Sequence, residues 1–337
     1  MSYFNTTHTK AKQTGFTLVE LMVSIVLGLL LVAAAVQLFI NGQIAYKVQQ
    51  AGAAVQDSGI FGFSYISQSI RLANYGNIGA MNDETLFGGI VLSGAVASTT
   101  PARDGNLKGL KVNSAVISGD NYLTTNALQD SAYGDKSDQL VIMYQAPRDM
   151  QNCKGENVTG PVRTVTTYTP GQYVIERYYI KTTGTLTAPD AALYCDSAIF
   201  TDNETTRKST GIAISDYGSG GVMIINHVDM MRIQLITRTT SGTQTMPINT
   251  YRSLSIQDKD DTTTPKKLKT SRPAIVGINL GLLIRSTDKA GNADGAKTYT
   301  ILDKSVTAPD DGYLRKAYIT TIALRNGGIN GEVIVND

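Results

Sequence analysis

Residues 9–40, TKAKQTGFTLVELMVSIVLGLLLVAAAVQLFI, decide the fold. Lys10 and Lys12 open the stretch, one acid, Glu20, stands at the mouth of an apolar run, and no further charge appears until Lys47. From Leu21 to Ile40, 17 of 20 residues are apolar, the exceptions being Ser24, Gly28 and Gln37. At 1.5 Å rise per residue, about 20 such residues cover the roughly 30 Å hydrocarbon core of a bilayer. The basic flank marks a cytoplasmic end. Glu20 is the anomaly, because an isolated carboxylate in a bilayer costs at least about 2.5–3.5 kcal/mol on insertion scales.

Three fates compete for this segment. A secretory signal peptide cut after Ala33–Ala34–Ala35 would release a Sec-exported soluble enzyme or binding protein. An uncleaved anchor would keep the chain in the membrane. The apolar run continues past that cut through Val36, Leu38, Phe39 and Ile40, and neither fate gives Glu20 a purpose. The third fate comes from a resemblance. GFTLVELMVSIV, residues 15–26, resembles the type III signal of type IV pilins and the related pseudopilins.

The resemblance implies that a prepilin peptidase cuts between Gly15 and Phe16 and removes the leader 1–15. Phe16 becomes the N-methylated first residue, and Glu20 the fifth. Residues 16–42 are then retained as a transmembrane segment and filament core. In a fibre of parallel helices, Glu20 of one subunit can approach the new α-amine of Phe16 on its neighbour. Head-to-tail contacts that do not close repeat into a filament, and a desolvated pair is costly to break, so it sets the register. Many major pilins carry a proline in this helix. Here none precedes Pro101, which points to a minor subunit.

Lys10 and Lys12 supply the whole formal charge of +2, so a chain beginning at Phe16 is formally neutral. Neutrality gives no reason to expect nucleic acid as a partner. The absence of Trp beside 17 Tyr suits exposed β-structure with polar loops. Residues 43–75 contain no proline, and Phe63, Ile66, Ile70 and Ala73 share one helical face. Gly52, Gly59 and Gly62 weaken helix propensity by up to about 1 kcal/mol each. The expectation is one helix over about 17–74, ending at Gly76, with Gln37 and Gly42 as soft points. It forms the element 16–75, followed by a periplasmic β-rich head over 76–337.

Within the head, strands are expected at 88–94, 139–145, 172–180, 221–238, 274–286 and 316–326. In 228–236, Met230, Ile233 and Leu235 compete for one face. Residues 201–210 and 257–273 read as polar loops. The fold class is α+β: a pilin-like long N-terminal helix packed on an antiparallel sheet domain with long loops. SQSIRLANYGNIG, residues 67–79, resembles the helix end of PilW-type minor pilins. VGINLGLLIRS and LRKAYITTIALRN are similar to their closing strands.

This second resemblance implies a minor pilin, inserted in the inner membrane with a periplasmic head and then incorporated in a cell-surface pilus. The partners it implies are other minor pilins and the major pilin in a complex that primes assembly near the tip, with a PilY-type adhesin as a further candidate. The role needs no cofactor. GspJ-like pseudopilins of type II secretion share parts of the closing pattern but are shorter, and stand as the alternative within the family.

Little else suggests chemistry. Cys153 and Cys195 are the only cysteines, and an oxidising periplasm would join them, with two buried thiols as the alternative. His227 and Asp229 offer a base beside an acid, against the plainer reading of a polar strand residue; no nucleophile-elbow, zincin or P-loop pattern accompanies them. Asp288, Asn292, Asp294 and Gly295 have oxygen-ligand spacing for Ca²⁺ but lack the bidentate Glu of an EF-hand, so a plain hairpin loop is favoured. Lys266, Lys267, Lys269 and Arg272 form a basic run. Asp258 to Asp261 lie beside it and no aromatic interleaves, which reads as a solvated loop rather than a nucleic-acid surface. The chain reads as a structural protein, not an enzyme.

Overall fold

The computed structural model describes residues 15–77, 79–97, 103–130, 136–185, 188–218, 220–239, 242–254, 272–291 and 295–325. The chain divides into two compact units, Met1–Gln50 and Ala51–Asp337. Helix α1 (Leu18–Leu72) begins in the first unit and ends in the second.

From Ala51 onward, α1 buries one stripe: Ala51, Val55, Gly59, Gly62, Ile66 and Ile70, with Ala73 just beyond its end. Steps of four, four, three, four, four and three keep these residues on one side of a 3.6-residue helix. Gly59 and Gly62 are contact points as well as weak helix formers. A Cβ on Gly59 would sit 2.7 Å from the Tyr318 ring, and one on Gly62 would overlap the Ile225 side chain. Phe63, expected on this face, is partly buried and tilted against Tyr318, with ring centroids 6.4 Å apart. After Leu72 the backbone turns through left-handed Asn74 (φ 67°) and Gly76 (φ 85°). Asn74 is fully buried. Its N–H donates to Met143 O at 3.0 Å, and its Oδ1 accepts from Gly89 N at 3.1 Å.

The first sheet has five antiparallel strands in sequence order: β1 (Thr125–Asp130), β2 (Lys136–Gln145), β3 (Tyr173–Thr185), β4 (Ala188–Phe200) and β5 (Val222–Ile225). Both of its faces are covered, so β2 is apolar without alternation. Leu140, Ile142 and Tyr144 face the α1 side, whereas Val141 and Met143 join Leu107, Leu110 and Phe200 in a second core. A short helix α2 (Glu204–Ser209) lies between β4 and β5.

The second sheet contains β6 (Val228–Thr239), β7 (Gly242–Pro247), β8 (Ala274–Lys289) and β11 (Tyr313–Ala323), in the order β7-β6-β8-β11. A separate two-stranded ribbon, β9 (Lys297–Ile301) with β10 (Lys304–Ala308), interrupts the path from β8 to β11. Met231, Ile233 and Leu235 of β6 face the main core shared with α1.

Several expectations change. Residues 221–238 are two strands in different sheets, separated at Asn226–His227, where His227 takes φ 56° and Asn226 Oδ1 accepts its N–H at 2.9 Å. Met230 pairs with Leu283 in unbroken register with Met231 and Ile233, so strand alternation puts it on the opposite face, against Leu283, Ile301 and Val306. It does not compete with Ile233 and Leu235. The segment 88–94 makes only one bridge, Ile90 with Ile142, because Gly88 and Gly89 pack against backbone. Residues 204–209 are helical rather than loop: Asn203 Oδ1 caps Thr206 N at 3.0 Å, and Glu204 pairs with Lys208 at 2.6 Å.

Candidate assembly segment at the N-terminus

Gly15, Phe16 and Thr17 precede α1 in non-helical backbone, and all three are exposed. The helix starts where Thr17 can cap it. Glu20 N–H donates to Thr17 Oγ1 at 3.3 Å, and Leu21 N–H donates to Thr17 O at 3.1 Å. Thr17-x-x-Glu20 is thus a capping-box sequence, with Thr17 at the cap and Glu20 at the third helical position. Glu20 also places a negative charge in the first turn, where it complements the helix dipole. Ser24 Oγ donates to Glu20 O at 2.7 Å one turn later.

The capping pattern was readable in the sequence and gives Glu20 a purpose within its own chain. The Glu20 carboxylate is exposed, and among the described residues it makes no ion pair. The Lys10 and Lys12 flank lies outside the described residues.

Through the rest of this unit every residue to Gln50 is exposed. Phe16 is 84% accessible, Leu31 and Leu38 each 73%, and Phe39 67%. Such a band cannot face water stably over this length, and α1 is the helix, among the described residues, long and apolar enough to cross a membrane. No proline or glycine break interrupts it at Gln37 or Gly42.

In the head unit the other predicted site residues separate. Cys153 and Cys195 form a disulfide, with Cα atoms 6.2 Å apart. It ties the turn after Gln151 to β4 under the α1 stripe. Beside it lies Glu176, fully buried on β3, the central strand of the first sheet, a group the sequence did not single out. Its Oε1 accepts from Cys153 N at 2.9 Å and Tyr144 Oη at 3.1 Å, and its Oε2 from Tyr178 Oη at 2.7 Å. The Ser69 hydroxyl of α1 also bonds it. Burial raises the carboxyl above the usual range, and the hydrogen bonds oppose that only in part. Glu176 therefore links helix, disulfide turn and sheet.

His227 does not face Asp229. Its Nδ1 is 3.3 Å from Asp190 Oδ1, whereas Asp229 is fully buried and held by Arg285 Nε and Arg315 Nε, each at 3.0 Å. The base-and-acid pairing is dissolved by the corner at Asn226–His227. Arg272 is no part of a solvated basic surface: it is buried, ion-paired with Asp83, and donates through Nε to Leu254 O at 3.1 Å. Lys266, Lys267 and Lys269 lie outside the described residues, as do Asn292 and Asp294 of the candidate calcium loop.

Two family models match the chain. Residues 177–326 match Type IV Pilus-assembly protein W, a span that runs from β3 through β11. Residues 10–36 match the prokaryotic N-terminal methylation motif, which brackets Gly15, Phe16 and Glu20. No curated protein matches. Among solved structures, the chain is similar to a type IV-like pilin, TTHA1219 from Thermus thermophilus, with 11% identity and a TM-score of 0.36 over 80% of this chain and 97% of that one. With the methylation motif on the capped apolar helix and the assembly-protein match across the closing strands, the chain is a PilW-like protein of the type IV pilin family.

Proposed function

We propose that this chain is the precursor of a minor pilin that helps prime pilus assembly and enters the fibre near its tip. Prepilin peptidase cuts between Gly15 and Phe16, and the new Phe16 amine is methylated. The apolar half of α1 holds the chain in the inner membrane with its head in the periplasm, then moves into the filament among other minor pilins and the major pilin. A PilY-type adhesin is a candidate partner at the tip.

The observation that carries this reading is positional. The matched methylation motif spans the start of a helix that begins three residues after Gly15, so the bond between Gly15 and Phe16 lies in exposed, non-helical chain. Cutting there leaves the apolar segment intact and creates a cation close to Glu20. Within one chain Glu20 holds the third helical position. In a fibre its carboxylate is left to meet the amine of a neighbour, and desolvation makes that pair specific for register.

The test separates insertion from assembly. In Glu20→Ala the chain is expected to reach the membrane and be cleaved, while its incorporation into pili falls sharply. Piliation at the wild-type level in that variant would remove the charge-pairing step.

A further inference from the structure

Residues 161–170, PVRTVTTYTP, are exposed without a break and stand off the head as a hairpin. Val162–Arg163 pair with Tyr168–Thr169. Pro161 and Pro170 fall opposite each other at the next register step, where neither can donate to the ladder. The turn at 164–167 is held by threonines. Thr164 N–H donates to Thr167 O at 2.8 Å, Thr167 N–H donates to Thr164 Oγ1 at 3.0 Å, and the two hydroxyls bond at 2.6 Å.

The foot of the hairpin is fixed to the end of the head at which α1 stops. Gln145 N–H donates to Tyr75 O at 2.9 Å, just past the helix, while Gln145 Nε2 donates to Gly171 O at 2.9 Å. Thr159 and Gln172 close the neck: Gln172 N–H donates to Thr159 O at 2.9 Å, and Thr159 N–H to Gln172 Oε1 at 2.8 Å. Because α1 enters this unit at Ala51, the hairpin is rooted at the end away from that entry.

Three features set it apart from an ordinary surface loop. Gly, Asn, Asp and Pro make tight turns easily, yet this turn carries Val165 among threonines, and hydroxyl bonds compensate. Val165 at the tip is fully exposed, and Val162 and Tyr168 are 51% and 64% exposed. Arg163 is the one charged residue between Glu156 and Glu176. A lone exposed valine is unremarkable. A rigid support for one, built against local turn preference, marks a functional position. Rigidity also lowers the ordering cost of binding.

We propose that the hairpin 161–170 is a docking peg for a different protein subunit, one whose surface offers an apolar pocket for Val165 and a carboxylate for Arg163. The proposal rests on the assembly reading above, under which the membrane lies on the entry side and the hairpin on the tip side of the head. Arg163 and Tyr168 are cross-strand partners and present a cation beside an aromatic ring, two residue types enriched where interfaces bind most strongly. A second copy docking hairpin to hairpin would set Arg163 against Arg163 with no acid in either segment. An anionic lipid surface is recognised by clusters of cations, and this segment has a single one.

The test puts the photo-crosslinker benzoylphenylalanine in place of Val165 in the full chain, in cells that assemble pili. The same residue in place of exposed Thr298, on the separate ribbon, is the control. The purified adduct is identified by its peptides. The expected adduct at 165 joins this chain to another pilin or a tip protein and is absent at 298. Arg163→Glu should lower its yield at least about tenfold, with the urea midpoint unchanged. No adduct at 165, an adduct with a second copy or with lipid alone, the same adduct at 298, or an undiminished yield in Arg163→Glu would overturn the proposal. Failure of the assembly reading shows separately in the same cells, as an N-terminus left uncut between Gly15 and Phe16.

Discussion

Replacing Glu176 probes what holds the head to its helix. In Glu176→Ala, Cys153 N–H and the hydroxyls of Tyr144 and Tyr178 lose their common acceptor. At about 1–3 kcal/mol for each donor left dry, Cys153 N–H and one tyrosine hydroxyl alone give a loss of roughly 2–6 kcal/mol. Glu176→Gln keeps an acceptor at one oxygen and removes the buried charge, so at low pH it should lie within about 1.5 kcal/mol of the wild type.

The two proteins must then diverge with pH. Because burial raises the folded-state value of Glu176 above that of the unfolded chain, the folded state binds the extra proton. Its stabilising contribution is complete below the unfolded value, and it is lost as pH rises through the folded one. Urea unfolding of the full chain in detergent, followed by tyrosine fluorescence from pH 4 to 8, reads this directly. The wild type should weaken relative to Glu176→Gln as pH rises. Parallel pH profiles, or a Glu176→Ala protein as stable as the wild type, would refute the reasoning.

Other perturbations have simpler readouts. Cys153 and Cys195 are 42 residues apart, so replacing both by Ser, or reducing the bond, should cost about 4 kcal/mol in the chain-entropy picture and lower the urea midpoint accordingly. Among the head-side helix glycines, a Cβ on Gly52 meets only Leu314 at 3.8 Å, so Gly52→Ala should stabilise by up to about 1 kcal/mol. Gly59→Ala and Gly62→Ala, set against Tyr318 and Ile225, should each destabilise by about 1–3 kcal/mol in the same titration. Thr17→Ala removes the cap on Glu20 N–H and should fray the first turn, costing about 1 kcal/mol, whereas Thr17→Ser should not; amide hydrogen exchange of residues 18–21 checks this.

Much of the fold was legible because its signals are local. The apolar run, the spacing of Ile66, Ile70 and Ala73, and the β-rich strands at 139–145 and 274–286 all read directly. What escaped depends on partners far along the chain. Gly59 and Gly62 read as propensity losses, but their value is the close approach of Tyr318 and Ile225. Asn226–His227 looks like a polar interruption of one strand, and only the second sheet shows that the chain changes layers there.

Arg272 carries the same charge whether solvated or buried, and it takes Asp83, 189 residues earlier, to bury it. Glu176 sits in an apolar strand as an unremarkable polar residue until Ser69, Tyr144 and Cys153 close around it. By contrast, the caps at Thr17 and Asn203 were written locally in T-x-x-E and N-E-T-T, and a search for caps finds both.

The central claim, a retained helix with a new amine beside Glu20, is tested most directly by the mass of the mature N-terminal peptide isolated from cells with an active prepilin peptidase. The account expects N-methyl-Phe16 as the first residue, followed by Thr17 and the uncut apolar segment. A chain beginning at Val36, or one that keeps residues 1–15, would contradict it.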